Sequence, residues 1–232
     1  MMTRILEISR YLLVGICIVF TLGYLHSPNL FPIHTVWILG GQHIDHADIR
    51  EAVLPFLQRG FFNIHIDEIR ERLLQQPWVS EVVVHRTWPD RVEIQVLEKK
   101  AVARWGKNEL LSDTGVLFVP TLDSDLKKVM LPQFQGPDGQ HVLMLNYFNQ
   151  MNRLLTPLHV KILNLELSSY QNWRIELENG TVLQIGHKDL WARLNRFVKV
   201  YPKIIGNQIA RVQSVDLRYP NGIAVQWTKN ES

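Results

Sequence analysis

One uncharged run near the N-terminus limits what this chain can become more than any other stretch. Tyr11 to Leu25 (YLLVGICIVFTLGYL) contains no Asp, Glu, Lys or Arg. A helix rises about 1.5 Å per residue, so this run reaches roughly 22 Å, short of the roughly 30 Å hydrocarbon layer of a bilayer. Extending the helix back to Ile5 supplies the missing length. Glu7 and Arg10 then sit at headgroup depth, where Arg10 can snorkel. The reading is an uncut anchor, with residues 1–10 as a short cytoplasmic tail and 11–30 as a transmembrane helix. A cleaved secretory signal needs small residues before its cut, and Thr21-Leu22-Gly23 is a poor version of that pattern. Arg4 and Arg10 precede the run, and no Lys or Arg follows until Arg50. Basic residues are retained on the cytoplasmic side. The expectation is a cytoplasmic N-terminus, with everything after the span exported, which in a bacterium means the periplasm.

The remaining composition removes several function classes. The chain has 232 residues, 46% apolar and 20% charged, which suits one large folded domain or two small ones. A net charge of +3 is too dilute for nucleic acid, which needs concentrated basic stripes. The single cysteine, Cys17, lies inside the apolar run, so neither an intrachain disulfide nor a C-x-x-C site can form. Gly40-Gly41 is not followed by a phosphate-binding glycine motif, and no G-x-S-x-G occurs, so no cofactor is expected.

The first exported block reads β-α-α-β-β. Thr35 to Gly40 (TVWILG) is a short apolar strand. Asp45 is placed to cap a helix, with Asp48 completing a capping box, and Ile49, Ala52, Val53 and Phe56 follow at helical spacing. Pro55 should end or kink that helix. A second helix has Ile66, Ile69, Leu73 and Leu74 as its buried stripe and stops at Pro77. Two period-2 runs, Val82/Val84 and Val92/Ile94/Val96, flank Trp88-Pro89-Asp90 and form a hairpin. That turn is expected to pack Trp88 on the module or its neighbour, with a partner contact as the alternative.

The element order, together with P-W-V-x-x-V-x-V-x-x-x-W-P-D-x-V-x-I-x-V-x-E over Pro77 to Glu98, resembles a POTRA module. The run of P-W, W-P-D and an apolar strand ending in Glu is similar to the periplasmic part of the FtsQ/DivIB cell-division family. Outer-membrane assembly factors and two-partner secretion transporters also carry POTRA modules, so an assembly or chaperone module for exported proteins is the alternative. Such transporters need a downstream barrel of many alternating strands, for which the chain as far as Ser232 leaves no room.

The second block strengthens the resemblance. A-R-W followed by L-S-D-x-x-G (Ala103 to Gly115), then LPQFQGPDG (Leu131 to Gly139), L-x-R-F-x-x-x-Y-P and V-D-L-R-Y-x-x-G-x-A-V-x-W occur in the family's order. His141 to Leu155 reads as a helix with Val142, Leu145, Phe148, Met151 and Leu155 near one face. Asn179-Gly180 marks a two-residue hairpin turn in which both residues tolerate positive φ. Leu190, Leu194, Phe197, Val198 and Tyr201 form the stripe of an amphipathic helix that ends near Pro202. The resemblance covers roughly Thr35 to Trp227. The expected fold class is α+β: one N-terminal transmembrane helix, a POTRA domain over 31–100, a mixed-sheet domain with flanking helices over 101–228, and a tail at 229–232.

Candidate catalytic and metal residues are weak. His43 and His46 lie near Asp45 and Asp48 at a strand-to-helix junction, where Asp45 already has a role as a cap; the other histidines show no ligand spacing. Asp67-Glu68 and Asp123/Asp125 fall in polar positions without a cleft to separate their pKa values. Arg193, Arg196, Lys199 and Lys203 are expected to form a solvated outer helix face. The expectation is no catalytic, cofactor or metal residue.

The C-terminal stretch raises a sharper possibility. Val215 to Trp227 reads strand, turn at Pro220-Asn221-Gly222, strand. Ile223, Val225 and Trp227 share one face, and Ala224 and Gln226 the other. Between Ile223 and Thr228 there is neither charge nor Pro, so an open edge would be unguarded against strand addition. The alternative is a strand paired on both sides within its own sheet. The resemblance implies a bitopic inner-membrane protein of the division septum, without known catalysis, that binds the periplasmic ends of the FtsB/FtsL pair (DivIC in other bacteria) through its last strands. By the same resemblance Arg218, Tyr219, Ile223, Ala224, Val225, Gln226 and Trp227 would touch that pair, with Arg218 meeting a partner carboxylate. Gln226 stands where a small residue is frequent. The POTRA module, with Arg86, Trp88 and Asp90 as contact candidates, and the membrane segment would join other division proteins, including FtsK and also FtsW and FtsI.

Overall fold

The computed structural model describes residues 12–21, 23, 31–120, 130–205 and 212–228. The fold is mixed α+β, and its contacts divide it into two compact units, Met1–Lys99 and Lys100–Ser232. Residues 12–21 are helical, and their apolar side chains are exposed, Phe20 by 78%. Among the described residues no helix is long and apolar enough to cross a membrane. Most of the remainder of the expected 11–30 span lies outside the described residues.

In the first unit, β1 (Thr35–Leu39), α1 (His46–Leu57), α2 (Ile66–Leu74), β2 (Val79–Thr87) and β3 (Arg91–Glu98) follow one another. The sheet order is β1-β3-β2, with β1 parallel and β2 antiparallel to β3. The β2–β3 alternation holds: Val82, Val84, Val92, Ile94 and Val96 are buried and meet Ile49, Val53, Ile69 and Leu73 of the helices. Each fully buried aliphatic side chain contributes about 1.5–3 kcal/mol, so truncating Ile69 to Ala would cost about 3 kcal/mol. Asp45 caps α1 by accepting the Ala47 amide at 2.8 Å. Gly40 leaves β1 at φ +89°, and a Cβ there would strike the Val96 carbonyl oxygen. Glycine is the residue that fits this turn.

Two helix expectations need correction. Pro55 does not end α1 at its own position; it lacks an amide for Glu51, and the helix closes two residues later at Leu57. Leu74 leaves the stripe and is 39% exposed, because at the last turn of α2 the sheet lies under Leu73 instead.

The second unit is built on a nine-stranded sheet. Its strands are β4 (Ala101–Trp105), β5 (Glu109–Ser112), β6 (Leu117–Phe118), β7 (Gln133–Gln135), β8 (Ile162–Leu167), β9 (Trp173–Leu177), β10 (Val182–Gly186), β11 (Val212–Asp216) and β12 (Ala224–Trp227). Their spatial order is β12-β11-β10-β9-β8-β7-β4-β5-β6. Three neighbouring pairs, β10–β11, β7–β8 and β4–β7, are parallel and the rest antiparallel. Helices α3 (His141–Leu155) and α4 (Leu190–Val200) contribute Met144, Met151, Leu194 and Phe197 to a core shared with Phe134, Leu165, Ile175 and Val215. The residues that alternate with that core form a polar row in register, Gln135–Glu166–Arg174–Gln184–Asp216, which ends on Ala224 at β12. One apolar and one polar face is the usual pattern of a sheet covered on one side.

Here too the details depart from expectation. Val142 is 47% exposed and Met144 takes its place in the core. Of Asn179 and Gly180 only Gly180 has positive φ, +82°. Gly180 N–H bonds the Leu177 carbonyl and Thr181 N–H the Asn179 carboxamide, so the connection is a three-residue loop closed by a left-handed glycine. As expected, α4 ends near Pro202, at Val200, and the chain continues as a π turn over Tyr201–Ile205.

Candidate functional site

β12 is the outermost strand of its sheet. It pairs antiparallel with β11 through Asp216↔Ala224, Val215↔Val225, Ser214↔Gln226 and Val212↔Trp227, with an irregularity between Val212 and Ser214. Among the described residues no strand lies on its other side. Its outward amides and carbonyls therefore form an open edge, bare of charge and proline.

The side chains of this strand divide by parity. Ile223 and Val225 pack against the core, whereas Ala224 and Gln226 face out. Gln226 accepts a hydrogen bond from Ser214 Oγ at 3.1 Å. Trp227 ends the strand 40% exposed, and Tyr219 stands 56% exposed on the preceding loop. The edge thus carries two large aromatic surfaces, the side-chain type enriched at binding hot spots.

The connection between β11 and β12 is longer than a tight turn and is held by arginines. Seven residues, Leu217 to Ile223, separate the two strands. Arg218 folds back on Asp216: its Nη2 donates to Oδ2 at 2.6 Å, its Nε to Oδ1 at 2.9 Å, and its backbone amide to Oδ1 at 2.9 Å. The hydrogen bonds from Arg218 hold the Asp216 carboxyl below the usual carboxylate range. Arg218 is thus already paired within its own chain through Nε and Nη2, while its side chain stays 58% exposed. From α4, Arg196 Nη1 donates to the carbonyls of Tyr219 (2.7 Å) and Gly222 (2.8 Å), and Arg193 Nη1 to that of Ile185 (2.6 Å). Two of the four basic residues expected to face solvent therefore bind main chain. A helical wheel could not reveal this, since the carbonyls belong to segments distant in sequence.

Beside Arg218 the polar face opens into a cleft of about 640 Å³, lined by Gln135, Glu166, Tyr170, Arg174 and Gln184 among others. Arg174 grips Glu166 through two hydrogen bonds, 2.8 and 2.9 Å. This lining offers amides and paired charges for polar recognition. Of this lining, Arg218 alone is a candidate site residue from sequence.

In the first unit, the β2–β3 turn presents Trp88 to solvent, 69% exposed. The expectation that Trp88 packs is corrected: the turn is held by Asp90 instead. The Asp90 carbonyl accepts the amides of His34 (3.0 Å) and Thr35 (3.4 Å), and its carboxylate lies 3.3 Å from His34 Nδ1. Arg86 Nη1 reaches the Phe61 carbonyl at 3.5 Å.

The junction histidines also have structural partners. His46 Nε2 lies 2.8 Å from the Gly40 carbonyl. His43 stacks on Trp78, rings 4.3 Å apart and 9° from parallel, and its Nδ1 is 2.9 Å from Glu98. Glu98 also accepts the backbone amides of Gln42 (2.8 Å), His43 (2.8 Å) and Ile44 (3.2 Å). Burial pushes the Glu98 carboxyl up, but the bonds from the His43 ring and from the His43 and Gln42 amides outweigh it, and the net position is below the ordinary range. Among the described residues no three His, Cys, Asp or Glu side chains converge as a metal site would require.

Comparison with known proteins matches both units. Residues 31–99 fit the POTRA domain, FtsQ-type, and residues 103–218 fit the cell division protein FtsQ/DivIB, C-terminal family. The second match stops at Arg218, so β12 lies beyond it. Cell division protein FtsQ of Coxiella burnetii is 37% identical over 204 residues, covering 88% of this chain and 83% of that protein. The protein of the same name from Xanthomonas campestris pv. campestris is 34% identical over 218 residues, covering 92% and 76%. That from Methylomonas methanica is 32% identical over 206 residues, covering 88% and 82%. With both units matched in order and relatives of this identity aligned along most of their length, the chain belongs to the FtsQ/DivIB family of cell-division proteins.

Proposed function

We propose that this chain is a single-span inner-membrane scaffold of the division septum, with its N-terminus cytoplasmic and its two units periplasmic. It performs no chemistry on a substrate. It holds other division proteins together, and its last strand recruits the FtsB/FtsL pair by β-augmentation. The observation that carries this reading is the open edge of β12, uncharged and flanked by exposed Tyr219 and Trp227. An added strand supplies main-chain hydrogen bonds, and the two aromatics supply apolar anchors.

The other parts fit the same role. The exposed apolar surface of residues 12–21 suits a lipid environment. Tethering to a membrane raises local concentration, so modest pairwise affinities suffice to assemble a complex. On the POTRA unit, Trp88 and Arg86 offer a second contact for FtsK, with FtsW and FtsI as further candidates.

Tyr219→Ala or Trp227→Ala should each weaken FtsB/FtsL binding by about 2 kcal/mol, as hot-spot truncations do. Biolayer interferometry measures the affinity, and circular dichroism checks the fold. Wild-type affinity in both folded variants would remove the interface from β12.

A further inference from the structure

We propose that Arg196 is a positioning residue for the docking edge: from α4 it ties down the β11–β12 loop, so that Tyr219 and β12 are already shaped for a partner before one arrives. This rests on the reading of β12 as a docking strand and names what prepares it.

The geometry is specific. One guanidinium nitrogen, Arg196 Nη1, donates both to the Tyr219 carbonyl at 2.7 Å and to the Gly222 carbonyl at 2.8 Å. These two carbonyls bracket Pro220 and Asn221, the tip of the seven-residue loop. Neither belongs to the β11–β12 ladder; among the described residues the loop is otherwise held at its start, by Arg218 on Asp216 and by the Leu217 amide on the Gln184 carbonyl. A hydrogen bond from a charged donor is stronger than a neutral one. Tyr219, whose carbonyl is held, is the exposed aromatic of the loop. Gly222, the other held residue, comes two before the first residue of β12.

The neighbourhood shows that the clamp is built rather than incidental. Arg196 is half-buried and sits one residue before Phe197, which is fully buried and fixes the helix face. One turn earlier Arg193 bonds the Ile185 carbonyl, at the end of β10. Gly186 follows at φ +79°, and a Cβ there would press on both Arg193 Nη1 and the Arg218 side chain. The helix thus reaches the sheet margin through two arginines, one on β10 and one on the terminal loop. Without the second, the free protein would hold the binding-competent loop only part of the time. Apparent affinity falls by that fraction, and the loss would appear in the association rate more than in dissociation.

The test compares full-length wild type, Arg196→Met and Arg196→Lys. Met keeps an unbranched apolar stem and removes the donors; Lys restores a charged donor at the same position. Hydrogen exchange of the free protein should show the amides of Tyr219, Asn221, Gly222 and Ile223 exchanging faster in Arg196→Met. Amides of β9 and β10 should be unchanged, and Lys should restore the loop. Association with the FtsB/FtsL pair should slow by about tenfold in Met and recover in Lys. Unchanged loop exchange in Met overturns the proposal. So does a loosened loop with wild-type association, and so does a loss in Met that Lys fails to recover. If wild type itself does not bind the pair while Met loosens the loop, the docking reading fails, and the claim that Arg196 prepares a docking edge is overturned with it.

Discussion

Glu98 and Asp216 are both carboxylates held below their ordinary pKa, yet they do different work. Glu98 is 13% exposed and gathers three backbone amides and a histidine, closing the POTRA turn that leaves β1. Asp216, 20% exposed, is bonded mainly by Arg218, whose own side chain is 58% exposed. The first replaces missing backbone acceptors inside a fold. The second shapes a loop on a surface. Removing a sheltered acceptor leaves donors unsatisfied, whereas removing an exposed ion pair costs little. Stability should therefore depend on Glu98, and recognition on the surroundings of Asp216.

Glu98→Ala gives the largest expected effect. Three amides and the His43 ring lose their acceptor, and the first unit should lose about 3 kcal/mol in a urea titration. Glu98→Gln, which keeps one acceptor oxygen, should lose less. A cost for Glu98→Ala no greater than for Asp216→Ala would show that Glu98 carries no special share of the first unit's stability.

Acid should reveal the same contrast. A carboxyl with a depressed folded pKa contributes stability above its unfolded pKa, and that contribution is lost as pH falls through the folded value. Stability should thus decline below about pH 4.3, the ordinary range of a glutamate. Glu98→Gln should flatten that decline more than Asp216→Asn does, as read by urea midpoints across the pH series.

Asp216→Asn gives the smallest effect on stability. An exposed ion pair is worth under about 1 kcal/mol, so the urea midpoint should hardly move. Partner association should still slow, because Arg218 and the start of the loop lose their anchor. A large stability loss without a binding change would reverse the roles assigned to the two carboxylates.

These contrasts also mark what the residues disclose. The β2–β3 hairpin was readable because one face is buried and the other wet, which prints a period of two. The α1 cap was readable because Asp45 acts on an amide two residues away. Glu98 stood out only as the end of an apolar strand. Its partners are main-chain amides more than fifty residues earlier, and amides leave no pattern in sequence. Leu74 and Val142 were misplaced because periodicity selects a helix side without showing which neighbouring residue the sheet meets. The order of the large sheet was hidden by its parallel pairs, whose strands lie far apart in the chain. Pro220-Asn221-Gly222 signalled a turn, but the loop's width is set by Asp216 and by Arg196, a helix away.

The central claim is that the outer border of β12 receives a strand from a partner. Hydrogen exchange on the full-length protein, with and without the FtsB/FtsL pair, addresses it directly. The outward amides within Ala224 to Trp227 should become protected by about tenfold or more when the pair is bound. Binding of the pair with exchange across β12 unchanged would contradict it.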